Sequence, residues 1–403
     1  MGGWGIAQRC PRRNTNWGFA AFSHQPPIRF LFFPTKSRAG SLPLATGEPN
    51  TVNLPRTAIV FLLLVHDAIA DETLKVTPVR RDKEISAFAE RFPELHKAVA
   101  WGIITPGLES DYVPQGVCWL DESRIALTYY DKSGKKRPSL LIVVDATAGR
   151  VLAQFRLLAV DGKPYTGHAG GVARHGNYLW IGSGGTVMRF AIAKAPLPGG
   201  DLTADFSFEA DSTAAFVTVD GDYLWVGDFS YGKKYPTPKH HHHGEHKAWA
   251  VAYHLDPHSG IPTTTKRYRV GETTVLQPDR IMFLPQKAQG MAIFGDLVVV
   301  SMSYSYRDSK LAMYRLPKDG RPRLRMKAPD GELIDAWVLD QKNHIKTIPM
   351  PAGSEGIDHC RRGLVVGFEG GSKHYRGRWR FFGGQIEDRI LVLDPGKLGV
   401  WNR

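Results

Sequence analysis

Polar or aromatic side chains that can bind ligands recur at five places in the chain, each beside a small residue and an apolar run. They occur where one apolar run starts and where the next one ends: Gln115, Tyr129, Tyr130, His168, Ser183, Phe216, Asp228, Gln289, Ser303, Tyr304, Glu355 and Glu369. Three carboxylates together with amide and hydroxyl oxygens form the donor set that Ca²⁺ prefers. Two of those carboxylates could instead act as a general acid and a general base. A third interpretation is that the side chains only plug a tunnel and bond to loop backbone.

A supersecondary unit repeated five times would bring these residues together. The five segments contain Gln115-Gly116, His168-Ala169-Gly170, Ala215-Phe216, Gln289-Gly290 and Glu355-Gly356, and a second strand-like run follows each of them. Repetition of this kind at irregular intervals is typical of a β-propeller. In a four-stranded blade the first strand lines the axis and starts on the face where the second strand ends. We therefore predict an all-β, five-bladed β-propeller with a short N-terminal helical segment.

This fold predicts one binding site at the axial face of the central channel. The ligand-binding residues that we predict there are Gln115, His168, Asp228, Gln289, Tyr304, Glu355 and Glu369. Glu355, Glu369 and Asp228 are also the predicted metal ligands, with Ca²⁺ as the candidate ion. Glycines 116, 170, 290 and 356 have a structural explanation as well, because inner strands approach one another closely around an axis.

The apolar runs also predict how the ring is built and closed. In blade three we expect Lys266–Val270 to be the fourth strand. Residues Glu84–Trp101 have helical spacing interrupted by Pro93, which indicates a helix or a helix pair. Thr73–Val79 is expected to supply the outermost strand of blade five, so that the two chain ends close the ring together.

The N-terminal region indicates export. Arg56 precedes a nine-residue apolar run, Thr57–Val65, and Ala68-Ile69-Ala70 follows as a cleavage motif. We predict a secretory signal at residues 52–70, a spurious or disordered extension at 1–51, an N-terminal strand and helix at 71–110, and the propeller at 111–403. The expected product is a secreted or periplasmic monomer without a transmembrane anchor after cleavage.

Composition narrows the choice of partners. The 403 residues carry a formal charge of +13, but the basic residues are scattered and form no single stripe, so we expect no nucleic-acid partner. A small polar ligand or a glycan fits better. After loss of the leader only Cys118 and Cys360 remain, and the sequence leaves open whether they pair.

Two segments offer further chemistry. The tract Lys239–His246 contains five histidines, and His243, His246 and Glu245 could complete a zinc-like ligand set. An exposed loop enriched in histidine explains the tract equally well. The run Lys373–Phe382 interleaves basic and aromatic residues, which could stack on sugars or bases, or could pack on the propeller face.

Several longer motifs resemble those of a family of exported bacterial β-propeller proteins of unassigned activity. They are Asp111–Gly116, Pro164–Ala173, His246–Val251, Gln289–Met291, Ser354–Ile357 and Phe368-Glu369. The family is broadly similar to YVTN-repeat and quinoprotein dehydrogenase propellers. The resemblance implies a propeller and export, and it points to Gln115, His168, Gln289, Glu355 and Glu369.

Three functions remain open from the sequence. The first is binding of a small polar ligand or cation at the axial face. The second is a metal-dependent hydrolase or lyase that acts on a phosphate ester or a glycan, by analogy of fold alone. The third is a scaffold that binds other proteins.

Overall fold

The computed structural model describes residues 76–77, 84–192, 199–318 and 320–400. The predicted extension and signal segment lie outside these residues. Five β-sheets form the five blades of a propeller, and a separate two-stranded hairpin accompanies them. Among the described residues, no helix has the length and apolar character needed to cross a bilayer.

The chain enters through a short strand, two helices and a longer strand, and then forms blade one. These elements are β1 (Val76–Thr77), α1 (Glu84–Arg91), α2 (Pro93–Ala98) and β2 (Val99–Ile104). Blade one comprises β3 (Tyr112–Trp119), β4 (Arg124–Asp131), β5 (Leu140–Asp145) and β6 (Arg150–Leu158). Blade two comprises β7 (Gly171–His175), β8 (Tyr178–Ser183), β9 (Thr186–Ala191) and, after β10 (Gly199–Thr203), the outer strand β11 (Phe206–Glu209). Strand β10 pairs in parallel with β6 and so extends blade one.

Blade three is the most elaborate. Its strands are β12 (Phe216–Asp220), β13 (Tyr223–Gly227), β14 (Ala248–His254) and β17 (Arg280–Leu284), with a 3₁₀ helix at Lys239–His241 in the insertion between β13 and β14. The predicted fourth strand, Lys266–Val270, is wrong. Strand β15 (Arg267–Val270) pairs instead with β16 (Thr273–Leu276) in the separate hairpin, and the buried run Arg280–Leu284 takes the fourth position. The reason is burial: β17 is apolar along most of its length, whereas β15 alternates with exposed basic residues.

Blades four and five complete the ring. Blade four comprises β18 (Ala288–Phe294), β19 (Leu297–Met302), β20 (Ser309–Arg315) and β23 (His344–Met350), while β21 (Leu324–Lys327) and β22 (Leu333–Val338) extend blade three. Blade five comprises β24 (Ser354–Cys360), β25 (Gly363–Phe368) and β26 (Arg389–Leu393), with α3 (Arg376–Phe381) between the last two and a 3₁₀ helix at Pro395–Leu398 after them.

An N-terminal segment closes the ring, and the predicted outermost strand is present, with one further strand on its inner side. Strand β2 pairs antiparallel with β26, and β1 adds to the outside of β2. Val76–Thr77, within the predicted segment, is thus the outermost strand of this sheet, and β2, which we did not predict as a strand, lies between it and β26. The strand character of Val99–Ile104 was hidden in the predicted helical run, whose period ends at Ala98. Helices α1 and α2 bury Phe88, Phe92 and Leu95 against blades four and five.

Apolar clusters fill the gaps between neighbouring blades, including the gap between blades five and one. There Ile390 and Val392 of blade five pack with Val117 and Leu127 of blade one. Because each blade is covered on both faces, its middle strands are apolar at nearly every position, as in β5 and β14. Burial of this kind is what holds the blades in a ring.

The five inner strands nearly touch, which explains their glycines. A Cβ atom built on Gly116 would lie 2.7 Å from the Val172 nitrogen, and one on Gly356 would lie 2.7 Å from the Val117 nitrogen. A Cβ atom built on Gly290 would likewise lie 2.9 Å from the Ile357 nitrogen. These positions have no space for a methyl group, so the glycines are required by packing whatever the protein binds.

Candidate functional site

Four of the predicted axial residues meet at one mouth of the ring. Gln115 and Glu369 come from blade one and blade five, and the Gln115 Nε2 donates to Glu369 Oε2 at 3.2 Å. Gln289 of blade four donates from Nε2 to Glu355 Oε1 of blade five, also at 3.2 Å. The carboxyl groups of Glu355 and Glu369 are neighbours that influence each other's protonation. We call this set of four residues the axial carboxyl pair and its two amides.

Irregular strand pairing places these side chains. The register of β3 on β4 shifts between Pro114 and Val117, and that of β24 on β25 shifts between Ser354 and Ile357. Strand β18 has a similar shift between Ala288 and Gly290. An extra residue in one strand bends it and changes the direction of its side chains. Gln115, Gln289 and Glu355 all lie within these irregularities, next to the glycines that permit the close approach.

Burial makes the carboxyl pair hold a proton near neutral pH. Glu355 is only 3% exposed, and its pKa is raised well above 4.5 by burial and by the adjacent Glu369. Burial likewise raises the pKa of Glu369 to about 7, although Lys132 and the Gln115 amide oppose the rise. Two buried carboxyl groups in contact cannot both be ionised cheaply, so they share one proton. The pair can therefore both donate and accept a hydrogen bond.

Aromatic rings and a lysine surround the pair on its solvent side. The Tyr375 hydroxyl lies 2.8 Å from the Tyr130 hydroxyl, and its proximity favours the ionised form of Glu369. Lys132 donates its ammonium to the Tyr375 hydroxyl and stands 3.9 Å above that ring. Tyr375 belongs to the basic and aromatic run noted in the sequence, but the run alone did not show that this one ring reaches the axis. Lys132 was missed, since it follows the second strand by one residue in a lysine-rich turn.

His168 joins the mouth through stacking. Its ring lies on Tyr130 with a centroid distance of 3.8 Å and an interplanar angle of 23°. Its backbone N–H donates to Ser183 Oγ at 3.0 Å. Although the residue keeps solvent-exposed surface, the crowded surroundings of the imidazole and the nearby Lys132 lower its pKa to about 4. His168 is therefore neutral at physiological pH and can act as donor or acceptor.

Replacement of Lys132 by glutamine should raise the pKa of Glu369 further. The ammonium favours the ionised carboxylate, so its removal leaves burial and the neighbouring Glu355 with less opposition. Carbon-13 NMR titration of the glutamate carboxyls would measure the change, with Lys135→Gln in the same turn as the control. An unchanged Glu369 titration in the Lys132→Gln variant would show that the ammonium does not act on the pair.

Asp228 and Tyr304 are not bonded to the carboxyl pair. Asp228 is fully buried and accepts hydrogen bonds from Thr213 N at 2.8 Å and from His241 Nδ1 at 2.8 Å. Tyr304 packs on Tyr231 with a centroid distance of 4.3 Å and accepts a hydrogen bond from Lys234. The predicted set of three axial carboxylates thus reduces to two in mutual contact.

The histidine tract is folded differently from the prediction. His243 is exposed and packs its ring on Phe283, and the His246 Nδ1 donates to the Leu284 carbonyl at 3.1 Å. In the described part of the chain, the three side chains that lie close enough together to hold a metal ion are those of Asp211, His240 and His241. The sequence signal was present in the tract itself, but four adjacent histidines do not reveal which of them turn inward.

A large cavity lies at the other end of the inner strands. It has a volume of about 670 Å³ and is lined by turns of blades one, four and five, including Asp121, Phe294 and His359. The Asp121 carboxylate there is held by Arg124 at 2.6 Å, and Arg315 donates to the Val400 carbonyl at 2.8 Å. Because these charged side chains already have partners within the protein, we place the functional site at the carboxyl pair and not at this cavity. Cys118 and Cys360, on inner strands of blades one and five, are free thiols.

The fold and the site together define the class of this protein: a five-bladed β-propeller with a buried carboxyl pair at one axial mouth. No family model matches the chain, and no curated protein matches it, so the resemblance to exported propellers stays a prediction. Solved structures that resemble this chain include the glutaminyl cyclase of Myxococcus xanthus. The match has 8% identity and a TM-score of 0.36, and it covers 70% of this chain and 90% of the cyclase. The tail fibre of Staphylococcus aureus phage P68 is similar at 11% identity and a TM-score of 0.38, covering 77% of this chain and 56% of the fibre. Function is therefore argued from the site itself.

Proposed function

We propose that this propeller binds a small polar, hydroxyl-bearing ligand at the axial mouth. The observation that carries the proposal is the shared-proton pair Glu355–Glu369, held between the amides of Gln115 and Gln289. Burying two adjacent carboxyl groups is costly even with Lys132 nearby. A structural plug could be made from apolar side chains at lower cost, so the pair is better explained by a ligand that uses it.

The groups around the pair suit a hydroxyl-bearing ligand. The pair offers one donor and several acceptors, Lys132 is a charged donor, and the neutral His168 can serve as either. The Tyr130 and Tyr375 rings add apolar faces. Convergent polar groups among aromatic walls are typical of small-molecule sites. Since Glu355 is almost fully buried, we expect the ligand to contact Glu369, Lys132 and His168 directly.

Calcium is the other proposed occupant. A divalent ion would displace the shared proton and take oxygen ligands from both glutamates. Two carboxylates are few for such an ion, and Lys132 repels it, so the neutral ligand is the first proposal. Calcium binding would release a proton, whereas binding of a neutral ligand would not. Proton release therefore distinguishes the two occupants.

Isothermal titration calorimetry with monosaccharides, and separately with CaCl₂ in two buffers of different ionisation enthalpy, tests the proposal. We expect saturable binding of a monosaccharide that falls at least about tenfold in Glu369→Gln, the loss expected when one hydrogen bond to a charged group is removed. Tyr304→Phe is the matched control, because this residue has its partners in blades three and four. Buffer-dependent heats with CaCl₂ alone would instead select the cation. Equal binding by wild type and Glu369→Gln would remove the axial mouth as the site.

A dyad-catalysed hydrolysis is the second candidate, and the raised Glu369 pKa of about 7 favours it. A carboxyl pair that shares a proton can activate water as base and protonate a leaving group as acid. The direct contact between the carboxyls disfavours a glycosidase that uses both, since those enzymes keep them roughly 5 Å or more apart. Turnover of p-nitrophenyl phosphate esters or glycosides that disappears in both Glu355→Gln and Glu369→Gln would support catalysis.

We also infer export to the periplasm or the medium. The charged, apolar and small-residue pattern at Arg56–Ala70 supports it, although these residues lie outside the described structure. Sequencing the amino terminus of the mature protein should find Asp71 first. Recovery of the full chain from the cytoplasm, with an intact amino terminus, would contradict export.

A further inference from the structure

Three side chains from two separate loops converge between blades two and three. His240 and His241 lie in the 3₁₀ helix of the blade-three insertion, and Asp211 lies in the loop that enters that blade. The His241 Nε2 is 2.9 Å from Asp211 Oδ1, and the His240 Nε2 is 3.0 Å from each Asp211 oxygen. The three ligand atoms all lie within 4.8 Å of one another. We call these three residues the blade-three cluster.

A second carboxylate orients the buried imidazole. The His241 Nδ1 donates to Asp228 Oδ2 at 2.8 Å, which leaves Nε2 directed at Asp211. Asp228 is in turn held by Thr213 N and by Ser212 Oγ, at 2.8 Å and 3.2 Å. A histidine that binds a metal through one nitrogen almost always donates its other N–H to a carboxylate or carbonyl in this way.

Aromatic residues fix the remaining geometry. The His241 ring stacks on Trp249 at 4.1 Å and 22°, and the Trp249 indole N–H donates to the Asp211 carbonyl at 2.8 Å. The Tyr268 hydroxyl donates to Asp211 Oδ2. The other oxygen, Oδ1, is the one that faces His241. Both imidazoles and the carboxylate are therefore positioned before any ion arrives.

We propose that Asp211, His240 and His241 form a binding site for a divalent transition-metal ion of the zinc class. Imidazole nitrogens with one carboxylate oxygen are ligands that zinc uses, at about 2.0–2.2 Å from the ion. Two ligand atoms at that distance from one ion stand roughly 3 Å apart, close to the separations observed here. The site is distinct from the axial carboxyl pair and shares no residue with it.

The charge balance also calls for a cation. Asp211 and Asp228 are both nearly inaccessible to water, at 2% and 0% exposure, and each brings a negative charge. A divalent ion bound by two neutral imidazoles would balance both carboxylates. Two buried carboxylates with no such partner would be costly. The alternative that a protonated His241 alone bridges them, with no metal, is an outcome that the experiment must distinguish.

The same tract supplies its own controls. His242 contacts the Thr237 hydroxyl through Nε2 at 3.0 Å, while His243 and His246 pack on Phe283 and the Leu284 carbonyl. These histidines share the loop and its exposure to added metal, but their rings are used elsewhere. Non-specific capture of metal by the tract would involve them as much as His240.

The test uses the full chain, stripped of metal with a chelator that is then removed. Zinc binding is followed by calorimetry, and cobalt binding by the visible bands of the ion in a low-symmetry site. We expect one tight equivalent of zinc and a cobalt spectrum in wild type, both lost in His240→Ala. Asp228→Asn should bind about 10–100-fold more weakly, because the orienting carboxylate is gone. His243→Ala and His246→Ala should bind like wild type.

His240 is the main variant because its side chain is partly exposed and its removal leaves the buried groups in place. Unfolding of each variant in chelator shows whether it is folded. One-equivalent binding that survives His240→Ala, or that is lost in His243→Ala, would overturn the site. The absence of zinc binding by folded wild type would do the same and would leave a proton in the place of the ion. None of these outcomes depends on the axial mouth, so failure there and failure here are separable.

Discussion

Gly171→Ala is expected to lower the free energy of unfolding by about 3 kcal/mol, at the upper end of the usual cost of overpacking. A Cβ atom on Gly171 would lie 2.4 Å from the Val217 nitrogen and 2.6 Å from the Phe216 Cα. Both contacts are with backbone atoms of the inner strand of blade three. A side chain could rotate away from the added methyl group, but a backbone can only move with its whole blade.

Gly377→Ala is the matched control. It lies in α3, and a Cβ atom there meets no atom within 4 Å. Alanine in an exposed helix is favoured over glycine by roughly 0.5–1 kcal/mol, so this variant should be slightly more stable than wild type. Urea unfolding followed by tryptophan fluorescence would measure both. Equal stability of Gly171→Ala and wild type would mean that the inner strands stand further apart than described here.

Glu369→Gln is expected to become more stable than wild type as the pH rises from about 4.5 to 8, because it removes a contribution to stability that wild type loses over this range. The pKa of Glu369 is raised in the folded state from 4.5 to about 7. A carboxyl group whose folded pKa is raised contributes fully below its unfolded pKa, and the contribution is lost as the pH rises through the folded value. For this change in pKa the loss corresponds to about 3 kcal/mol.

The comparison of two variants isolates this contribution. Burial also raises the pKa of Asp358 to about 7 and that of Glu387 to about 8, whereas the lowered pKa of His168 acts in the opposite direction, so wild type alone reports only a sum. Glu369→Gln should match wild type near pH 4.5 and exceed its stability near pH 8, whereas the exposed Glu272→Gln should follow wild type throughout. Chemical unfolding at several pH values measures the difference. A constant difference between Glu369→Gln and wild type across this range would show that the pair does not hold a proton.

The two proposed sites use equivalent positions in different blades. Glu369 follows the second strand of blade five by one residue, and Asp228 follows the second strand of blade three in the same way. Glu369 turns to its neighbour Glu355, whereas Asp228 turns to a histidine supplied by the insertion of its own blade. We therefore propose that one structural position serves ligand binding at the axis in one blade and metal binding between blades in another.

Much of the propeller could be predicted because its signals are local. Glycine before an apolar run marked four of the five inner strands, and the continuous apolar runs of β4, β5 and β19 marked strands covered on both faces. Blade three was predicted incorrectly because its fourth strand follows a hairpin that has strand character of its own. Strand β2 was hidden because a helical period and a strand period overlap at Val99–Trp101. In both cases, pairing with distant strands decided the assignment.

The sequence by itself determined five blades, the close packing at their glycines, and the placement of Gln115, Gln289, Glu355 and Glu369 at one mouth. These follow from local patterns, since an inner strand starts where its blade's second strand ends. Only the tertiary structure decided that Glu355 and Glu369 are neighbours with raised pKa values, that Asp228 contacts His241 instead, and that His240 and His241, rather than His243 and His246, contact Asp211. Such choices depend on which atoms of distant loops come within hydrogen-bonding distance, and no local pattern in the chain encodes that distance.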